Sequence, residues 1–118
     1  MSNLVTDDAA DIDKYEILIE EFSDVSVIKK VLTGGDNFKS LVINMKPGQE
    51  VPIHSHAGHS VILIPQAGGG ILFRDAGSPV SLTVGALYVD PKGSSFGLQN
   101  KGSEPFRLLV ILVNSKKV

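Results

Sequence analysis

The chain contains no cysteine. That absence excludes disulfides, thiolate catalysis and thiolate metal sites, so the fold must be held by its core alone, as is usual in a reducing cytoplasm. An excess of positive charge is missing as well, the formal net charge being −2. Such a chain has little with which to neutralise a nucleic-acid backbone or settle on an anionic leaflet, and neither nucleic acid nor a membrane is expected as a partner. Long apolar runs are also lacking: Val61 to Ile64 and Leu108 to Val113 fall well short of the roughly 18 residues that suggest a membrane span. Met1 to Asp13 hold Asp7, Asp8, Asp11 and Asp13 without the basic start and apolar centre of an export signal. An acidic solvated tail over 1–13 and a soluble, cytoplasmic protein are therefore expected. With 118 residues, 42% of them hydrophobic, the remainder is of a size for one domain over 14–118 around one core.

From Tyr15 onward the sequence falls into short β-branched or alternating runs, and no stretch keeps a helical period. An all-β fold is expected. Strands are expected near Tyr15 to Glu20, Val25 to Leu32, Lys39 to Met45, Val51 to His56, Ser60 to Ile64, Gly70 to Arg74, Val80 to Val84, Ala86 to Val89, Phe96 to Gln99 and Phe106 to Val113. The segments between them, such as Gly34-Gly35-Asp36-Asn37, Pro47-Gly48, Gly68-Gly69-Gly70 and Pro91-Lys92-Gly93, carry the residues that turns require. The runs Val61 to Ile64 and Leu108 to Val113 do not alternate, so both faces of those strands should be covered. Either the domain covers the outer face itself, by a second sheet or the N-terminal segment, or a homodimer interface does, and the shortness of the chain favours the dimer.

All three histidines lie within Ile53-His54-Ser55-His56-Ala57-Gly58-His59. On a strand, residues two apart share a face, so His54 and His56 should project side by side, near enough to share one ion. An isolated pair of this kind more often just hydrogen-bonds within a polar site. Its surroundings say more. Gly48, five residues, then His54-Ser55-His56 is followed by Gly68, and Gly85, Pro91, Gly93, Phe96 and Asn100 follow at a second characteristic spacing. Over Gly48 to Asn100 the chain resembles the cupin superfamily, whose small single-domain members carry these two motifs in this order. The resemblance implies a cupin-type antiparallel jelly-roll β-barrel.

It also implies a metal set of three histidines and one glutamate around zinc, nickel, manganese, iron or copper. In this chain only His54 and His56 stand at matching posts. Ser60 or Val61, depending on the gap, occupies the glutamate post, and Phe96 the third histidine post. Neither a phenyl ring nor a neutral serine is a serviceable ligand for these metals. His59, next to the glutamate post, could complete a three-histidine metal set. Two functional readings follow, with no catalytic residue assigned. In the first, the protein binds an unidentified small molecule in a pocket lined by His54, His56, Ser60, Ile62 and Phe96, the phenyl ring making the cavity drier. In the second it is a metal-dependent dioxygenase or isomerase using His54, His56 and His59. A structural or regulatory partner module is a third class. Arg74 and Tyr88 could reach a carboxylate or phosphate at the barrel mouth, although an exposed arginine is usually only solvated.

Overall fold

The computed structural model describes residues 12–115; among these the chain forms nine strands and no helix. They are β1 (Ile28–Thr33), β2 (Phe38–Met45), β3 (Glu50–His54), β4 (His59–Ala67), β5 (Gly69–Phe73), β6 (Val80–Thr83), β7 (Tyr88–Asp90), β8 (Phe96–Gln99) and β9 (Phe106–Asn114). All pairings are antiparallel. One sheet has the order β1-β2-β9-β4-β7 and the other β3-β8-β5-β6. The core is closed between them by Ile43, Met45, Val61, Leu63, Phe106 and Leu108 from the first sheet and Val51, Leu72, Leu82, Phe96 and Leu98 from the second. Apolar side chains from two inner faces meeting in one layer is how jelly-roll folds remove their strands' apolar faces from water. The expected all-β jelly-roll architecture is the one the chain adopts.

Most strands lie within a few residues of their expected limits. Tyr15 to Glu20 form no strand. The carbonyls of that segment and its continuation are claimed by side chains, which fixes the backbone without a ladder. Asn44 Nδ2, fully buried on β2, donates to Ile19 O and Glu21 O, both at 2.8 Å. Arg107 Nη1 on β9 donates to Ile19 O at 3.2 Å, and Gln49 Nε2 to Ser23 O at 2.6 Å. The N-terminal segment is thereby laid across the outer side of the β2–β9 pair, where Asn44 and Arg107 are register partners. Ala86 and Leu87 also lie outside a strand, β7 being shorter and later than expected. Residues 1–11 of the expected acidic tail, and Lys116-Lys117, lie outside the described residues.

The two sequence motifs are physically one structure. β3 and β8 pair through Glu50↔Gln99, Val51↔Leu98 and His54↔Phe96. Beyond the strand start, Gly48 N donates to Asn100 O at 2.8 Å and Asn100 N to Gln49 O at 3.0 Å. Asn100, 1% exposed, donates through Nδ2 to Met45 O and Glu104 O, while its Oδ1 accepts from Gly102 N. At the other end Gly93, with φ +67°, packs against the turn His56-Ala57-Gly58-His59, which is closed by His59 N donating to His56 O at 3.1 Å. A Cβ on Gly93 would stand 2.5 Å from His56 O and 2.7 Å from His59 O. The second motif therefore holds both ends of the histidine-bearing segment.

Candidate functional site

Strict alternation from Val51, whose side chain is buried, would give Ile53 and Ser55 its face and send His54 and His56 the other way. The pairing slips between Val51 and His54, where three residue steps on β3 oppose two on β8. That β-bulge re-aims everything after it. Gly97 makes room for it, since a Cβ there would lie 2.5 Å from Val51 O and 2.9 Å from Ile53 N. As a result Val51, His54 and His56 line one cavity, with Leu41, Ile43 and Leu63 on the opposite sheet.

The cavity measures about 80 Å³. His54 is exposed at its lip and His56 is half-buried. Their rings lie 4.4 Å apart, tilted by 51°. The His56 ring in turn stacks on Phe96, centroid to centroid 4.0 Å at 21°. His54 Nδ1 lies 3.0 Å from Pro52 O and His56 Nδ1 2.8 Å from Ser94 O. A carbonyl oxygen only accepts, so each Nδ1 is the protonated donor, and in the neutral form of the ring the lone pair is then on Nε2.

Ser94 is held in turn by Asp90, whose carboxylate accepts from Lys92 N at 3.0 Å, Ser94 N at 2.9 Å and Ser94 Oγ at 3.3 Å. Partial burial alone would raise the Asp90 pKa. The donors from Lys92 and Ser94 outweigh it, and the carboxyl is held below its usual value. His56 is shifted down from 6.5, chiefly by burial and further by the neighbouring His54, against the stabilising hydrogen bond to Ser94 O. A base whose folded-state pKa is depressed takes up its proton at higher pH in the unfolded chain. Folding carries no penalty from His56 above about pH 6.5, and a growing one as pH falls below that value. Lowering the pH from about 7.5 to about 5.5 should accordingly depress the melting temperature more in the native chain than in His56→Phe. Calorimetry on both across that range checks it, and equal slopes would contradict it.

Ser60 and Ile62 do not line the cavity. β4 presents Val61 at 0% and Leu63 at 2% exposure to the interior, while Ser60 and Ile62 face the other way, Ser60 Oγ donating to Pro91 O at 3.3 Å. Of the five residues expected around a pocket, His54, His56 and Phe96 come together at this cavity and these two stand apart from it. An unbroken apolar run has no phase of its own, and pairing with β9, Val61↔Leu112 and Leu63↔Val110, sets which residues turn inward. The glutamate post of the longer motif gap is thus filled by Val61. Leu63, Val110, Leu112 and Lys29 line the cavity without having been singled out in the sequence. Their signal was the register, which a single sequence does not carry. Gln66 and Gln99 spend their amides on Ile64 O and Glu50 Oε1.

Among the described residues no three His, Cys, Asp or Glu side chains come together so as to hold a metal ion. His59 opens β4 beside Asn114, one turn past His56, and does not complete the expected set. The donors on hand are two imidazole nitrogens, with a phenyl ring stacked on one of the two imidazoles and apolar side chains across the cavity. They supply no anionic ligand and no opposing ligand, and so do not fit a resident divalent transition ion.

The family model described as a cupin domain matches residues 41–112. No curated protein matches the chain. Among solved structures, it is similar to an RmlC-like cupin protein from Desulfovibrio desulfuricans, with 25% identity, a TM-score of 0.75 and coverage of 86% of this chain and 97% of that one. An uncharacterized protein with a double-stranded β-helix domain from Klebsiella pneumoniae is similar at 22% identity, TM-score 0.73, covering 80% and 82%. The cupin domain of Schizosaccharomyces pombe Cnp3 is similar at 16% identity, TM-score 0.73, covering 86% and 69%.

Proposed function

Since the chain belongs to the cupin domain family, we propose that it is a small-molecule-binding cupin in which the imidazole pair receives a guest in place of a metal ion. The observation that carries this reading is the Phe96 ring stacked on His56 at 4.0 Å, at the post of the third histidine. Val61, fully buried at the glutamate post, supports it. With each Nδ1–H committed to a backbone carbonyl, the pair offers Nε2 acceptors above an apolar cavity. A guest group that suits it donates a hydrogen bond, as a hydroxyl or amide N–H does, and is small enough for about 80 Å³. Lowering the His56 pKa keeps that ring an acceptor at neutral pH.

Elemental analysis of protein purified without a histidine tag tests the first half of the reading. Far less than one equivalent of transition metal per chain is expected. About one equivalent, lost in His54→Ala, would overturn the reading in favour of a metal enzyme built on His54, His56 and His59. A thermal-shift screen of small alcohols and amides tests the second half, with any stabilisation expected to vanish in His54→Ala and His56→Ala.

A further inference from the structure

Behind the histidine cavity lies a second, larger chamber of about 590 Å³. That volume is within the range of roughly 300–1,000 Å³ typical of small-molecule sites. Leu63 and Phe96 line both chambers and form the partition between them. These two, with Leu72 and Leu82, are almost fully buried beneath it, and Leu87 at 60% and Val89 at 54% exposure, with the half-buried Val80 and Tyr88, give the second chamber an accessible apolar floor.

Its rim is charged. Arg74, from the end of β5, and Lys92, from the turn after β7, both line it, and neither forms an ion pair among the described residues. Arg74 makes one hydrogen bond there, Nη2 to Ser78 O at 2.9 Å, so most of its donor fork is uncommitted. The carboxylate at this rim is Asp90, and its oxygens are occupied by Lys92 N, Ser94 N and Ser94 Oγ. Two cations against one carboxylate leave the rim with one net positive charge, which complements a monoanion. A dianionic phosphate would meet Asp90 unfavourably.

We propose that this chamber is a binding site for an organic monocarboxylate with an apolar body, its head on Arg74 with Lys92 beside it, and its chain or ring on Val80, Leu87 and Tyr88. A guanidinium fork matches a carboxylate in two parallel hydrogen bonds, whereas Lys92 contributes as a point charge. The apolar floor supplies affinity in proportion to the area the body covers. The inference goes beyond the imidazole reading and does not depend on it, because neither His54 nor His56 lines this chamber.

The probes are phenylacetate, 4-phenylbutyrate and octanoate, each beside its primary amide and, for the aromatic body, phenyl phosphate, titrated by calorimetry and by amide chemical shifts. Saturable binding of at least one carboxylate is expected. The matching amide should bind about tenfold more weakly or worse, and Arg74→Gln should lose about tenfold in affinity, Lys92→Gln less. His54→Ala should leave the carboxylate affinity unchanged, which separates this site from the histidine cavity. Arg74 and Lys92 are exposed, so their variants should fold, and falling affinity with rising salt gives a readout in the native chain. No binding of any probe carboxylate at millimolar concentration overturns the proposal. So does equal binding of acid and amide, preference for phenyl phosphate, or indifference to Arg74→Gln.

Discussion

A variant carrying both Val61→Glu and Phe96→His is expected to take up about one equivalent of a divalent transition ion per chain, where the native protein takes up far less. The backbone posts for the missing ligands are in place. Val61 points into the core between the sheets at 0% exposure, and Phe96 is the register partner of His54 with its ring already against His56. The double change would put a carboxylate and a third imidazole at the two posts that the cupin motifs assign to ligands, beside His54 and His56. Without metal the variant should be several kcal/mol less stable than the native chain, since it loses a core phenyl ring and buries an uncompensated carboxylate. Adding zinc or nickel at about a hundredfold above its Kd should return about 2.7 kcal/mol. Elemental analysis and calorimetry with and without metal measure both effects. A folded double variant that neither carries metal nor gains stability from it would show that something other than the two lost ligands closes the site.

Gly93→Ala should lose roughly 2–4 kcal/mol, about 1 from the left-handed backbone and about 1–3 from the clash of a Cβ with backbone oxygens. Those oxygens belong to His56 and His59, the closing residues of a turn, and cannot rotate away as the end of a side chain would. Gly48→Ala is the control. Gly48 has φ +89° but open space around its Cβ direction, so only about 1 kcal/mol of backbone strain applies there. Urea titration of the two variants separates close approach from conformational strain. Equal losses would remove the close approach from the account. The Gly93 variant should also disturb the His56 side chain through Ser94, making its ring resonances a second readout.

The barrel was legible in the sequence because turn residues and β-branched runs alternate along it, and because two spaced motifs fall on β3 and β8. What could not be read was phase. Val61-Ile62-Leu63-Ile64 is apolar throughout, so nothing in it marks Val61 and Leu63, rather than Ile62, as the inward pair; hydrogen bonding to β9 decides that. The segment Tyr15 to Glu20 carries the residues of a strand, but the Ile19 carbonyl is claimed by Asn44 and Arg107, partners more than twenty residues away in the chain. Of the larger chamber, Arg74 and Tyr88 were legible as residues of a barrel mouth, but Lys92 was not. Arg74 follows β5, Tyr88 opens β7 and Lys92 follows it, and only the packing of β7 beside β4, opposite β5 and β6, gathers them.

The slip between Val51 and His54 divides responsibility in an unusual manner. Chemistry at the mouth is written in the histidines, but whether that chemistry serves the inside or the outside of the protein is written two residues upstream and, across the sheet, in the missing side chain of Gly97. Such a locus lets a lineage keep its imidazoles and still change their address, because adding or removing one peptide unit there inverts the wall without rewriting it.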